Sequence, residues 1–315
     1  MQDSQELKQP LVAVTGASGL VGRRLVQSLV MSGFQVLALV RDVERAQGIL
    51  NAYSVPSLKF ARFDLDDDPL RVDLEHVWAV VHAGAYIPRS LEDPSEALEC
   101  WTTNSLGTLR LLEQVRDAGV PYFVYLSAGN AYGASEARAR ETDPLYPSAR
   151  APYYLTSKVA GEVFVDYMRR RAFFGAAILR PAAIYGPGMP PGGLVSSMLG
   201  QLRSGQSLNV HDGGRYHVDL VHVDDVVKAI MACLDRKAEG TYNVGSGQAT
   251  STLELAKQLL EIAGLDLITL EVTGSMEGPN LGFPALDITL AREQLGYSPT
   301  NLRDGLQSML RESAS

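Results

Sequence analysis

The chain has 315 residues, 46% hydrophobic and 20% charged, a globular composition that excludes wholesale disorder. Its 28 Lys and Arg stand against 36 Asp and Glu, and the resulting charge of −8 argues against nucleic acid or an anionic membrane as the main partner. The longest apolar runs, such as Ala172–Leu179, fall far short of the roughly 20 residues that span a bilayer.

In chain order, Leu11–Val14 reads as a strand leading into TGASGLVG and then RRLVQSLVMSG, a helix of 3.6-residue period closed by glycine. Val36–Val40, Lys59–Phe63 and Ala79–Ala83 read as the second, third and fourth strands. A helix over Leu106–Ala118 ends at Gly119, and Tyr122–Ser127 is a fifth strand. Tyr154–Arg171 reads as a long helix and Ala176–Arg180 as a sixth strand. Strands that are apolar throughout and alternate with helices predict a parallel sheet covered on both faces.

Beyond Arg180 the texture changes. YGPGMPPGG at 185–193 is a loop by composition. Helices follow near Leu194–Ser204, Asp224–Leu234, Leu253–Ala263 and from Thr289 to Leu295, with a short strand near Leu220–His222. There is no internal repeat. At roughly 150 residues per domain, a large α/β unit with an added lobe suits the length. The polar opening MQDSQELKQP lacks an export signal's basic-then-apolar pattern. Cys100 and Cys233 make neither a disulfide framework nor a metal-ligand spacing, so a reduced, cytoplasmic setting without metal is expected.

Gly16-Ala17-Ser18-Gly19-Leu20-Val21-Gly22 lies between the first strand and the first helix. Glycine there allows a tight turn and lets backbone N–H groups approach a pyrophosphate at the helix N-terminus. A plain structural turn is the competing reading, and the strand-loop-helix context favours the dinucleotide.

The GxxGxxG spacing together with Tyr154-x-x-x-Lys158 resembles the short-chain dehydrogenase/reductase superfamily. LRPAAIYGPG (179–188), VHVDDV (221–226) and YNVGSG (242–247) resemble its extended epimerase/dehydratase branch, and the matches run from about residue 11 to LGYSP at 295–299. The resemblance implies a Rossmann-type doubly wound parallel sheet with a smaller C-terminal α/β substrate lobe. It divides the chain into 11–180 plus 219–245 for NADP(H) and 181–218 plus 246–315 for substrate. Asp64 and Leu65 would hold the adenine edge, and the small residues Ala83, Gly84 and Ala85 would let the cofactor lie against the backbone. Pro181, Ile184 and Tyr185 would border the nicotinamide and the substrate, with Tyr86 and Asn130 also facing the substrate. His82 is expected to be a packed, hydrogen-bonded residue rather than a catalyst.

Tyr154 and Lys158 are neighbours on one helical face, and a nearby cation favours the phenolate form of an acid/base tyrosine. Four residues beyond Tyr153 lies Ser157, so the role falls to Tyr154. The orienting hydroxyl sits five residues before the glycine of the YG pair in many sugar-modifying relatives, which here is Ala128. In reductase-like relatives it sits six before, which is Ser127, and Ser127 is assigned. Asn104 resembles the asparagine that supports the active-site helix. The second strand ends at Val40 instead of an acid, and Arg41 follows it, so NADP(H) is favoured over NAD(H), with Arg23 or Arg24 as helpers. The arginine that many nucleotide-sugar relatives carry in the returning segment is Val218 here, leaving Arg215 as a substitute.

The expected activity is therefore stereospecific hydride transfer between NADP(H) and a carbonyl/alcohol carbon, by an oxidoreductase that resembles relatives commonly paired as homodimers. A nucleotide-sugar epimerase or dehydratase with retained cofactor is the alternative, and a non-enzymatic cofactor-binding protein the remote one.

Overall fold

The computed structural model describes residues 9–50, 55–90, 93–133, 137–147, 151–266, 270–278 and 281–312. The expectation drawn from the opening residues falls largely on 1–8 and lies outside the described residues. The first half alternates β1 (Leu11–Thr15), α1 (Leu20–Met31), β2 (Gln35–Val40), α2 (Val43–Leu50), β3 (Leu58–Arg62) and β4 (Val77–His82). A one-turn helix α3 (Ala97–Glu99) runs through a π-helical segment, Cys100–Leu106, into α4 (Gly107–Asp117). Then come β5 (Tyr122–Leu126), α5 (Pro152–Arg170) and β6 (Gly175–Pro181). The second half holds β7 (Ala183–Tyr185), α6 (Leu194–Arg203), β8 (Leu208–Val210), β9 (Tyr216–His222), α7 (Val223–Arg236), β10 (Gly240–Val244) and β11 (Ala249–Ser251). It ends with α8 (Thr252–Ala263), β12 (Leu270–Val272), β13 (Leu281–Gly282), α9 (Thr289–Leu295) and α10 (Leu302–Glu312).

Among the described residues, seven strands form one sheet in the order β10-β6-β5-β4-β1-β2-β3, and every pairing is parallel. This is the expected Rossmann-type α/β fold. Alternate residues of each strand feed two cores. Val12, Val14, Ala79 and Val81 pack with α1 and α7, while Ala13, Val80 and Phe123 pack with α4 and α5. All five residues of β5 are buried, which is why the strands read as unbroken apolar runs. The strand order reverses between β1 and β4, and in such sheets that crevice receives the ligand.

A second, smaller sheet holds β11-β9-β13, with β7 also on β9, and β8 pairs β12. Its anchor is Asp219 of β9, 2% exposed, which accepts from Ser246 N and Oγ (2.7 Å each), Gly247 N (3.1 Å) and Leu286 N (3.0 Å). Burial pushes its carboxyl upward against those four donors.

Two boundaries differ from expectation. β9 belongs to the small sheet through residue 222, beyond the expected division at 219. Leu286, Ile288, Ala291, Leu295 and Tyr297 join the core under α1 and α7, although 246–315 was expected wholly in the lobe. The reason is apolar burial: α9 packs on α7 and β10.

A buried ion pair fastens the long helix to the sheet. Arg180 of β6 grips Glu162 of α5 through Nε (3.0 and 3.2 Å) and Nη2 (2.7 Å), and donates through Nη1 to Tyr132 Oη (2.7 Å) and Glu141 O (3.1 Å). Tyr132 in turn donates to Asn243 Oδ1 of β10 at 2.8 Å. Removing one member strands a buried charge, which typically costs about 3–5 kcal/mol. Glu162→Ala should therefore lower stability by about that much in urea unfolding, and Glu162→Ala with Arg180→Met should recover most of it.

Candidate active site

The glycine loop shows three different spatial demands. Gly16 has φ +65, and a Cβ there would lie 2.7 Å from Gly84 Cα, so the turn after β1 and the turn after β4 touch backbone to backbone. A Cβ on Gly22 would fall 2.0 Å from Gly16 O, so the first turn of α1 presses against the same loop. Gly19 is exposed, and the one neighbour a Cβ would meet is Gly16 O at 3.1 Å. Two glycines close the turn and the third leaves an open face at a helix N-terminus, with Ser18, Leu20 and Val21 around it. That is the cradle a pyrophosphate requires.

α5 begins two residues earlier than its periodicity predicts, because Ala151 adopts a left-handed conformation (φ +47) and Pro152 takes the first helical position. Tyr154 and Lys158 share one face. Lys158 is 2% exposed, and its Nζ stands 4.4 Å from the centroid of the Tyr125 ring. Tyr125 Oη donates to Lys158 O at 3.1 Å. Burial pulls the Lys158 ammonium down to about 7, against the opposing pull of Glu162 one turn on. Burial likewise pushes the half-buried Tyr154 phenol up to about 12, with Cys100 adding to it. The expected lowering of the phenol by its lysine is thus not present in the protein alone, where burial and Cys100 both push it upward.

Ser127 leaves β5 with its amide bonded to Leu179 O (2.8 Å), and its Oγ is buried without a partner among the described residues. Its neighbour Ala128 packs with Ala151, Leu155 and Tyr154, which sets Ser127 beside the start of α5. Asn130 follows in a 3-10 turn, half-buried.

Asn104 lies in the π-helical segment and is 1% exposed. Its Oδ1 accepts from Tyr86 N (2.7 Å), while Nδ2 donates to Tyr86 O (3.0 Å) and Ser157 Oγ (3.0 Å). Ser157 Oγ passes its own proton to Tyr154 O at 2.7 Å. Asn104 therefore locks the segment after β4 to the tyrosine helix. Glu96 holds the same segment from outside, accepting from Tyr86 Oη (3.0 Å) and Arg89 N (2.6 Å). His82 is fully buried between Thr15 and Thr108, and burial holds its imidazole well below its usual range.

Ala83, Gly84 and Ala85 are half-buried beside Gly16, Leu65 is buried against Gly107, and Asp64 caps its own turn at Asp66 N (3.3 Å). Pro181 ends β6 buried, and Ile184 is half-buried on β7. Arg41 is exposed directly after Val40. Arg23 is engaged elsewhere: its Nη2 donates to Gly188 O at 2.6 Å and Pro187 O at 3.4 Å, and Arg24 stands 3.9 Å from Asp224. Tyr185 is 1% exposed in the core of the small lobe, edge-on to His222 with its hydroxyl against Gly305. Arg215 donates through Nε to Asp212 O (3.2 Å) and Ser275 O (2.9 Å), two loop carbonyls of that lobe. Hydrogen bonds thus join Tyr86 and Asn104 to the helix that carries Tyr154 and Lys158, Ser127 leaves β5 beside the start of that helix, and Tyr185 and Arg215 are held within the lobe's own packing. Sequence reasoning passed over Thr15, Thr108 and Ser157, whose hydroxyls carry no motif of their own.

Residues 12–245 match the NAD dependent epimerase/dehydratase family. The chain belongs to that family. It is 33% identical to a UDP-glucose 4-epimerase of Mycolicibacterium smegmatis over 91% of this chain and 92% of the relative. It is 29% identical to a dTDP-4-dehydro-6-deoxy-D-allose reductase of Streptomyces bikiniensis over 95% of each. A solved dTDP-glucose 4,6-dehydratase of Streptomyces venezuelae, with NAD and TYD bound, superimposes with a TM-score of 0.82 at 27% identity over 96% of both chains. The chain is accordingly an enzyme, an oxidoreductase of the extended short-chain type. Among the described residues no helix is long and apolar enough to cross a membrane, and no group of three His, Cys, Asp or Glu residues is placed to hold a metal.

The three glycine environments separate fold from binding. Gly19→Val should fold, since its backbone is already extended (φ −74) and the one close contact of a Cβ, Gly16 O at 3.1 Å, needs only a small shift, yet abolish cofactor binding by filling the helix N-terminus. Calorimetry with NAD⁺ and NADP⁺ on the folded variant checks this.

Proposed function

We propose that the chain transfers hydride between NADP(H) and a carbonyl/alcohol carbon of a small-molecule substrate, with Tyr154 as acid/base. The parallel sheet would carry the cofactor and the small sheets the substrate, which would also meet Tyr86 and Asn130. The observation that carries this reading is the orphaned Ser127 Oγ. A buried hydroxyl without a partner costs about 1–3 kcal/mol, a cost that a substrate oxygen would remove. The nicotinamide supplies the hydride acceptor or donor; the remaining work belongs to the chain. Ser127 orients the reacting oxygen, Tyr154 gives or takes its proton, and Lys158 holds charge behind the phenol. In the protein alone Tyr154 is a neutral phenol, and a cationic ligand together with a protonated Lys158 would draw its proton away.

Turnover of a panel of ketones, aldehydes and nucleotide-sugars tests the reading. Tyr154→Phe should retain fold and cofactor binding while losing about 10²–10⁴-fold in kcat. A Phe variant within about threefold of wild type would remove Tyr154 from the mechanism.

Arg41 supports the cofactor preference. It is exposed where an acid would otherwise meet the ribose hydroxyl, and a charge-assisted bond to a 2′-phosphate is worth about 1.5–3 kcal/mol. NADPH should be preferred over NADH by at least about 10-fold in kcat/KM, and Arg41→Ala should erase most of that preference by weakening NADPH alone.

The relatives named above favour a second reading, a nucleotide-sugar epimerase or dehydratase that keeps its cofactor. A protein that purifies with bound NAD⁺ and turns over such sugars without added cofactor identifies it. A homodimer is part of either reading, supported by the exposed apolar side chains Val163 and Tyr167 on α5 and Trp101 beside it. A cytoplasmic setting is likewise supported by the free, buried thiols of Cys100 and Cys233.

A further inference from the structure

Thr15 and His82 are the last residues of β1 and β4, paired in register where the strand order reverses. Their side chains begin an unbroken series of hydrogen bonds. Gly84 N donates to Thr15 Oγ1 (3.0 Å), Thr15 Oγ1 meets His82 Nδ1 (2.7 Å), and His82 Nε2 meets Thr108 Oγ1 (2.9 Å). Thr108 Oγ1 then donates to Asn104 O at 2.6 Å. The last bond fixes the direction of all the others. A carbonyl only accepts, so the Thr108 proton is spent on Asn104, and Thr108 must accept from His82 Nε2–H. A neutral imidazole protonated at Nε2 accepts at Nδ1, so Thr15 donates there and is left to accept from Gly84. Each proton of the series is thereby assigned.

The neighbours enforce that state. Phe123 and Tyr125 enclose the ring at centroid distances of 6.2 and 5.6 Å, and the Lys158 cation opposes a second proton. From Asn104 the series continues through its side chain to both backbone groups of Tyr86 and, by Ser157, to Tyr154 O. One end is Gly84, in backbone contact with Gly16; the other is the helix that carries Tyr154.

We propose that His82 is a positioning residue, whose one-way hydrogen bonds hold the glycine turn at a fixed place relative to the Tyr154 helix. It rests on the reading of Gly16–Gly22 as the cofactor cradle, which the wild-type binding isotherm tests separately. Cutting the series at its far side should be felt at the cradle. With Thr108 replaced by valine, the imidazole loses its Nε2 acceptor, and moving its proton to Nδ1 turns it into a donor to Thr15. Thr15 then accepts from both His82 and Gly84 while its own proton has lost its acceptor, and an oxygen no longer polarised by donating is a weaker acceptor for Gly84 N.

Calorimetry with NAD⁺ and NADP⁺ measures the effect without knowledge of the substrate. Thr108→Val, on α4 and outside the glycine turns, should weaken the better-bound cofactor about 5- to 10-fold, the scale of one net hydrogen bond. His82→Phe should do the same, while His82→Gln, whose amide can both accept and donate, should bind within about twofold of wild type. A merely structural role would lower the thermal midpoint of each variant and leave affinity below the transition unchanged. Thr108→Val with unchanged affinity overturns the proposal, as does a Gln variant as weak as the Phe variant. Should His82→Phe fail to fold, Thr108→Val decides alone. A wild-type chain that binds neither cofactor refutes the cradle and the proposal with it.

Discussion

Two turns of backbone meet without side chains between them, Gly16 after β1 and Gly84 after β4, and the architecture of the site follows from that meeting. A Cβ on Gly16 would fall 2.7 Å from Gly84 Cα, and one on Gly84 would press on Thr15 Oγ1 at 3.1 Å, at the point where the sheet changes direction. Because they do touch, the first helix can begin within the same turn, at Leu20. Gly22 repeats the constraint from the helix side. The site is therefore shaped by what is left out, and polar side chains enter from the flanks.

Those flanking side chains work under strong desolvation. The packing that aligns Lys158, Tyr154 and Ser127 also draws them from water, and for the first two it shifts the balance toward the neutral forms. Glu162, also buried, is offset by Arg180, which spreads its remaining donors over Tyr132 and a loop carbonyl. The helix is held by charge at one turn and left free to exchange a proton at another. Burial at one face thus serves both rigidity and reactivity.

Much of this was legible in the sequence. The inner strands of the first half announced themselves because strands buried on both faces are continuous apolar runs, whereas the edge strand β3 exposes Lys59 and Arg62. The glycine spacing and the i, i+4 tyrosine and lysine marked a site because local spacing alone brings those groups together. What stayed hidden depends on contacts between distant residues. α2 is short and mostly exposed, and β10 carries a glycine and an asparagine among its apolar residues. The π-helical turn at Cys100–Leu106, which aims Asn104 inward, has no signature in residue pattern. The hydroxyls of Thr15, Thr108 and Ser157 gain meaning from partners 67, 26 and 53 positions away in the chain. Tyr185 looked like a lining residue by order in the chain, yet β7 turns it into the lobe's interior.

The placing of β10 bears on how the chain is made. Tyr242 pairs with Leu179 of β6, and between them the chain must first traverse β7, α6, β8, β9 and α7. Ribosomal synthesis delivers β6 well before its outer neighbour, so the nascent sheet waits with one apolar edge open. Long-range pairing of this kind is slow because loop closure comes before any compensating contact. An unpaired strand is also a template for another chain. Premature termination between 182 and 239 would leave that edge permanently uncovered, making fragments of this length candidates for aggregation and for chaperone capture.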